Sequence, residues 1–294
     1  MITLKNISHS YKKEEPLFEQ LNLTVLNGDS IGIAGDNGSG KSTLIKIMLS
    51  IIQPVSGSVF YDEKDISKYR KDLMKHIGVV WGQRTSLWWD LTVKEGIYET
   101  AAIFDVNKTA LEKNFNYYAA KLSIKNFLDK RLRKVSAGQR ILADIVAVLV
   151  REPNIIFLDE AFIGLDYETN LTVIELLKDY KKTHPDCIFI VTSHDFDNIA
   201  SLCNKLLVIK KDSVKEYDMN DLLDQKYTEL IIETKKQIEF KNIENLNVSF
   251  INPFKMSILI NRSLNDILKH IDWDKVLKIE IIDKTVDMLI KHIL

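Results

Sequence analysis

Five of the chain's 11 glycines fall within thirteen residues, at Gly28, Gly32, Gly35, Gly38 and Gly40. Glycine tolerates positive φ and lets backbone approach closely, so such a cluster makes either an ordinary flexible turn or a cradle for a ligand. The flanks decide between the two. Ser30–Ala34 (SIGIA) predicts a short buried strand, and Lys41–Ile52 (KSTLIKIMLSII) a helix with one apolar face. Between them runs Gly35-Asp36-Asn37-Gly38-Ser39-Gly40-Lys41-Ser42-Thr43, a GxxxxGK motif followed by a hydroxyl residue, in the strand–loop–helix setting the motif requires. Backbone N–H groups at the start of such a helix point at phosphate oxygens, and the helix dipole adds to the attraction. Lys41 is placed to reach the β- and γ-phosphates of a nucleotide, and the Ser42 hydroxyl to ligate Mg²⁺.

Two further segments narrow the chemistry. Ile155-Ile156-Phe157-Leu158-Asp159-Glu160 is an apolar run that predicts a central strand ending in two carboxylates. Asp159, at the strand end, can orient a Mg²⁺ shell, and Glu160, one residue on, can polarise an attacking water. Solvated acids at a strand end are the plainer alternative. Val135-Ser136-Ala137-Gly138-Gln139-Arg140 opens a long helix that is predicted to run to Arg151. Ser-x-Gly at a helix start supplies a hydroxyl and free N–H groups, a second phosphate-binding surface.

At this point the chain resembles the ATP-binding subunit of an ABC transporter. Val135-Ser136-Ala137-Gly138-Gln139 is similar to that family's LSGGQ signature, and Asp159-Glu160 to its Walker B end. Other matches follow in family order. Gln83, in Val79-Val80-Trp81-Gly82-Gln83, resembles the Q-loop glutamine, and Gly164-Leu165-Asp166 the D-loop. His194, in Thr192-Ser193-His194-Asp195, resembles the switch histidine, and Tyr11 the aromatic that stacks on adenine. Singly, Gln83 or His194 would read as a polar loop residue and Tyr11 as a core aromatic; the shared order gives them weight. Ala137 departs from the family glycine. Ala161-Phe162 stand where Pro-Thr is usual, a change expected to alter turnover more than binding. Gln83–Leu91 (QRTSLWWDL) also resembles a stretch of type-2 exporters, which implies export.

The resemblance covers residues 1–222. It implies an α/β fold, a P-loop NTPase ABC cassette with a parallel-sheet core, an antiparallel β subdomain and a helical subdomain over about 84–152. It also implies ATP and Mg²⁺ as ligands. Gly35, Asn37, Gly38, Ser39, Gly40, Lys41 and Thr43 would cradle the nucleotide, with Ser42, Gln83 and Asp159 around the metal. Glu160 would activate water, and His194 would contact the γ-phosphate. Ser136, Gly138 and Gln139 would close over the nucleotide of a facing subunit, with Asp166 coupling the two sites. One copy of each motif per chain implies a homodimer, or a heterodimer with a similar ATPase. The helical subdomain, with Thr92–Phe104, Lys108–Leu122 and Ile124–Lys130 predicted as helices, would receive a transmembrane permease. Trp88 and Trp89, at its entrance, either dock a partner helix or pack inward.

Composition sets the partners. There are 40 basic and 41 acidic residues, and residues 226–294 alone carry 11 and 10, so no basic excess suggests nucleic acid. No stretch approaches the ~18 apolar residues of a membrane span. The longest candidate, Ile141–Val150, is interrupted by Asp144. The start, MITLKNISHS, has no signal-peptide pattern, and two cysteines, Cys187 and Cys203, fit a reducing compartment. The expected location is the cytoplasmic face of the membrane, held peripherally, by a subunit soluble in isolation. After Lys210 the chain changes character, and no glycine lies in residues 226–294. Strands are predicted at Thr228–Thr234, Leu246–Ile251, Met256–Ile260 and Val276–Ile282, and helices at Ser263–Ile271 and Lys284–Ile293. This reads as a small C-terminal α+β accessory domain over 226–294, for packing, dimer support or a regulatory ligand. The rival readings are an importer ATPase with a regulatory domain and a soluble, non-transport ABC ATPase.

Overall fold

The computed structural model describes residues 1–12, 15–210, 213–224, 228–235, 247–260 and 276–283. The chain divides into two compact units, Met1–Tyr217 and Asp218–Leu294.

The first unit begins β1 (Ile2–Lys12), β2 (Glu15–Val25), β3 (Ser30–Gly35), α1 (Lys41–Met48), β4 (Ser56–Tyr61), β5 (Lys64–Asp65), α2 (Ile66–Met74) and β6 (Ile77–Trp81). A helical stretch follows, α3 (Val93–Ile103), α4 (Lys108–Lys121) and α5 (Ala137–Leu149). The unit closes with β7 (Ile155–Asp159), α6 (Tyr167–Thr183), β8 (Ile188–Thr192), α7 (Phe196–Leu202), β9 (Lys205–Lys210) and β10 (Ser213–Asp218). One sheet is antiparallel, in the order β2-β1-β4-β5; the other runs β10-β9-β3-β8-β7-β6. Within the second, β6, β7, β8, β3 and β9 run parallel to one another. Every residue of β7 and β8 is buried, as a parallel sheet covered on both faces demands.

This topology places the site. Parallel strands end on one edge, and the register aligns Trp81 with Asp159 and Asp159 with Thr192. The loops after β3, β6, β7 and β8 therefore leave the sheet side by side, where open parallel sheets bind ligands. Underneath, Ile31 and Ile33 of β3, Leu44, Ile45 and Met48 of α1, and Phe157 and Ile190 of the neighbouring strands form the core.

Two helices differ from expectation. α1 stops at Met48 rather than Ile52, because Ser50 turns to a left-handed φ of 53°. Ile124–Lys130 makes only a 3₁₀ turn at Ile124–Phe127, after Ser123 at a left-handed φ of 53°. Its buried Ile124 and Phe127 stand three residues apart, a spacing that eclipses them on one side of a 3₁₀ turn. Among the described residues no helix is long and apolar enough to cross a membrane.

The second unit contains α8 (Met219–Asp224), β11 (Thr228–Thr234), β12 (Asn247–Asn252), β13 (Lys255–Ile260) and β14 (Val276–Asp283). The strands form a sheet in the order β12-β13-β11-β14, with each neighbouring pair antiparallel. β11 and β12 thus run parallel to each other across β13, the strand order of a split β-α-β unit. Leu230 pairs with Ile258 and Ile232 with Met256, and all four are buried, so one face of the sheet is apolar. The predicted helices Ser263–Ile271 and Lys284–Ile293 lie outside the described residues.

Candidate nucleotide-binding site

The loop after β3 enters α1 without a side-chain cap: Gly40, at the cap position, sits at φ 106° and no side chain bonds the first turn. A helix start leaves N–H groups unpaired, and here no side chain takes them up, the arrangement that suits an anion. Glycine suits this position because a φ of 106° strains any L side chain, and a Cβ would also crowd Phe18 at 2.8 Å and Leu17 at 2.9 Å. Lys41 Nζ folds back over the loop, donating to the carbonyls of Gly35 at 2.7 Å and Asp36 at 3.1 Å. Burial lowers the Lys41 pKa, while Glu160, Asp36 and Asp159 pull against it. Asn37 and Gly38 form the exposed turn of the loop, closed by Ser39 N–H donating to Asp36 O at 3.1 Å. The Ser39 hydroxyl is buried without a hydrogen-bond partner. Tyr11 Oη lies 3.1 Å from Thr43 Oγ1, and the ring is 66% exposed beside the helix start.

The ends of β7 and β8 supply the opposing charge. Asp159 Oδ1 accepts from Ser42 Oγ at 3.3 Å and from Thr192 Oγ1 at 2.7 Å. Glu160 takes a left-handed φ of 57°, a conformation that costs a non-glycine residue about 1–3 kcal/mol. Its N–H is held there by Thr192 O at 3.1 Å and Thr192 Oγ1 at 3.0 Å. Glu160 Oε1 lies 3.3 Å from His194 Nε2, and Oε2 is buried with no hydrogen-bond partner. Burial raises the Glu160 pKa; His194 and Lys41 oppose that, and Asp159 adds to it. A cavity of about 390 Å³ opens here, with Ser42, Gln83, Asp159 and Glu160 in its wall and Lys46 and Arg84 adding cations.

Ser136, Gly138, Gln139 and Asp166 are not in that wall; they form a second locus. Ser136 caps α5 in a reciprocal box: its hydroxyl accepts from Gln139 N–H at 3.2 Å, and Gln139 Oε1 accepts from Ser136 N–H at 3.0 Å. A Cβ on Gly138 would lie 2.7 Å from the Gly164 carbonyl, so the two loops touch through backbone. Asp166 in turn caps α6, accepting from Thr169 N–H at 2.9 Å and Thr169 Oγ1 at 3.0 Å, and those bonds lower its pKa.

The family model described as "ABC transporter" matches residues 18–163, from β2 through the Walker B end. The chain carries an ABC-type ATPase cassette. It is 26% identical to "ABC transporter ATP-binding protein NatA" of Bacillus subtilis over 217 residues, covering 73% of this chain and 87% of that protein. It is 27% identical to "Nickel import system ATP-binding protein NikE" of Staphylococcus aureus, covering 80% and 99%. Among solved structures, an ATP-binding subunit of an ABC transporter superposes with a TM-score of 0.70 at 19% identity, over 76% of this chain and 92% of that one. The dimeric ATP-binding cassette MJ0796, in a post-hydrolysis state bound to ADP and Pi, superposes with a TM-score of 0.65 at 25% identity, over 74% and 99%.

Two cassette residues escaped the sequence reading. Thr192 holds both Asp159 and the Glu160 backbone, and its signal was the position in register with Asp159 at the end of a buried strand. Gly82 donates its N–H to Asp159 O at 2.8 Å, and a Cβ there would collide with the Glu160 carbonyl at 1.8 Å. A glycine directly before Gln83 was visible, but the backbone it presses against was not.

Proposed function

We propose that this ATPase is the engine of a membrane transporter, hydrolysing ATP at the edge formed by Lys41, Ser42, Asp159, Glu160 and His194 and driving a separate permease. The observation that carries the reading is the Glu160–His194 pair beside the Ser42–Asp159 bond. The unpaired N–H groups of α1 and the Lys41 ammonium would take the β- and γ-phosphates. Tyr11, standing exposed beside Thr43, would face the base. Ser42, Asp159 and Gln83 offer hydroxyl, carboxylate and amide oxygens around one cavity, a donor set that suits a hard cation such as Mg²⁺. Bound there, Mg²⁺ would neutralise phosphate charge. The Glu160 carboxylate, in the cavity wall, is the group to take a proton from the attacking water. Burial, by raising its pKa, makes it a stronger base, while Oε1 is steadied by His194.

The Ser136 oxygen spends a lone pair on its own helix but keeps its proton to donate. That proton, with the open backbone at Gly138, would meet the γ-phosphate of a second subunit in a head-to-tail dimer. Asp166, touching the signature through Gly164, would link the two sites. The dimeric neighbour bound to ADP and Pi supports this arrangement. The partner is a second copy or a similar ATPase, and the balanced charge of the chain gives no reason to expect nucleic acid. The permease would hold the subunit at the cytoplasmic face of the membrane.

The expected outcome for Glu160→Gln is retained ATP binding with hydrolysis reduced by about 10²–10⁴-fold. A steady-state rate equal to the wild type would overturn the assignment. For the direction of transport, export rests on the Gln83–Leu91 stretch. Import is favoured by relatives whose names specify it: NikE, and "Methionine import ATP-binding protein MetN" of Mannheimia succiniciproducens at 28% identity. Reconstitution with the permease, with ATP on the cassette side of the bilayer, separates the two by the side on which substrate accumulates.

A further inference from the structure

A carboxylate deep in the helical stretch has no part in the chemistry above. Asp144 of α5 is 2% exposed, among apolar neighbours such as Ile145 and Val146. A buried carboxylate is costly unless it is hydrogen-bonded, and an apolar side chain would serve packing better. Its Oδ1 accepts from Thr85 Oγ1 at 3.1 Å, Ser86 N–H at 3.1 Å and Ser86 Oγ at 2.8 Å. All three donors belong to the segment directly after Gln83 and Arg84.

The other end of that segment is fastened to the sheet. Gly82 donates to Asp159 O at 2.8 Å and lies against the Glu160 carbonyl. Between the two anchors only Gln83 and Arg84 intervene, joined to the sheet by one long bond from Arg84 N–H to Trp81 O at 3.4 Å. α5 meanwhile presents Ser136, Arg140 and Asp144 at four-residue steps, along one side of the helix. Arg140 adds a second grip, its guanidinium 5.0 Å from the centre of the Trp89 ring.

We propose that Asp144 is a positioning residue that fastens the far end of the Gln83 loop to the signature helix, so that a shift at Gln83 moves Ser136 with it. The proposal rests on the reading of Glu160 and Gln83 as parts of an ATPase site. Asp144 touches no nucleotide; it acts through Thr85 and Ser86.

The test compares Asp144→Ala, Asp144→Asn, Ser86→Ala and the double variant Asp144→Ala with Ser86→Ala, all in the full chain. For Asp144→Ala the expected result is unchanged ADP affinity and unchanged KM for ATP with kcat down ~10-fold or more, as misplacement of a catalytic surface produces. Asp144→Asn, which keeps an acceptor oxygen, should recover most of that loss. The double variant should be no slower than Asp144→Ala alone, because both break one contact. A wild-type kcat for Asp144→Ala, or losses that multiply in the double variant, would overturn the latch. If Asp144→Ala does not fold, Ser86→Ala reads the same contact from the loop side, and a wild-type kcat there overturns it equally. The two readings fail separately. A normal rate for Glu160→Gln sinks the ATPase assignment, whereas a normal Asp144→Ala beside a slow Glu160→Gln sinks only the latch.

Discussion

Two helices of the cassette start at glycine-bearing motifs, and they start differently. α1 opens at Gly40 with no side chain on its first turn. α5 opens at Ser136 inside a closed capping box with Gln139. The first helix start is left uncapped by its own chain, whereas the second is finished by its own chain and has only a hydroxyl proton to offer. The difference teaches what each is for. On the proposed reading α1, with Lys41 folded over the same loop, would be a primary site filled within its own subunit. α5 is a prepared surface whose use depends on what is brought to it.

Removing the ammonium tests the first half of this comparison and should give its largest effect. Lys41→Ala deletes a cation held against the phosphate loop, and charge-assisted hydrogen bonds are worth about 1.5–3 kcal/mol each. Nucleotide affinity of the isolated subunit should fall by roughly 10–100-fold, measured by fluorescent-nucleotide titration. Ser136→Ala should leave that affinity unchanged. An equal loss in both variants would erase the distinction between the two helix starts.

The legibility of the two regions in sequence divides along the same line. The α1 loop could be read because its motif, strand and helix are contiguous, and the chemistry follows from spacing alone. Order along the chain likewise exposed Asp159, Glu160, Gln83 and His194 as candidates that the parallel sheet brings to one edge. What stayed hidden depends on contacts between distant segments. Asp144 read only as an interruption in an apolar run, since its partners Thr85 and Ser86 lie 59 and 58 residues away. Thr192 and Gly82 matter through the backbone of Glu160, whose left-handed φ no pattern announces. The cap of α5 was partly legible. Ser136 was marked as a phosphate surface, while the closing bond from Gln139, which changes what the serine has left to give, came only with the geometry.

The second half of the comparison predicts that capping and activity separate at Ser136. Loss of an N-cap typically costs about 1 kcal/mol, so Ser136→Ala should lower the urea midpoint slightly and also slow hydrolysis. Ser136→Asp keeps a good cap, with an added favourable charge at the helix start. It should therefore match the wild type in stability, yet slow hydrolysis more than alanine does, because it sets an anion where a facing γ-phosphate would arrive. If Ser136→Asp hydrolysed ATP as the wild type does, Ser136 would be a structural cap and nothing more.

The remaining effect is on stability alone, and it sets α5 apart from α1 once more. Burial pushes the Asp144 carboxyl up to about 6, against hydrogen bonds from Ser86 and Thr85 and the nearby positive charge of Arg140. An unfolded aspartate titrates near ~3.9, so the native state binds the proton more tightly than the unfolded chain does. The resulting stabilisation is fully present below ~3.9 and is lost as pH rises through about 6. Capping carboxylates such as Asp166, whose pKa is lowered by its bonds to Thr169, act in the opposite sense. The quantity to follow is therefore the difference between the wild type and Asp144→Asn, not either curve alone. Between pH 4 and pH 6.5 the wild type should lose about 2 kcal/mol relative to Asp144→Asn, read from urea midpoints at each pH. A constant difference across that range would mean that the carboxyl titrates alike in both states, and burial of its charge would then cost nothing that the Thr85 and Ser86 bonds do not return.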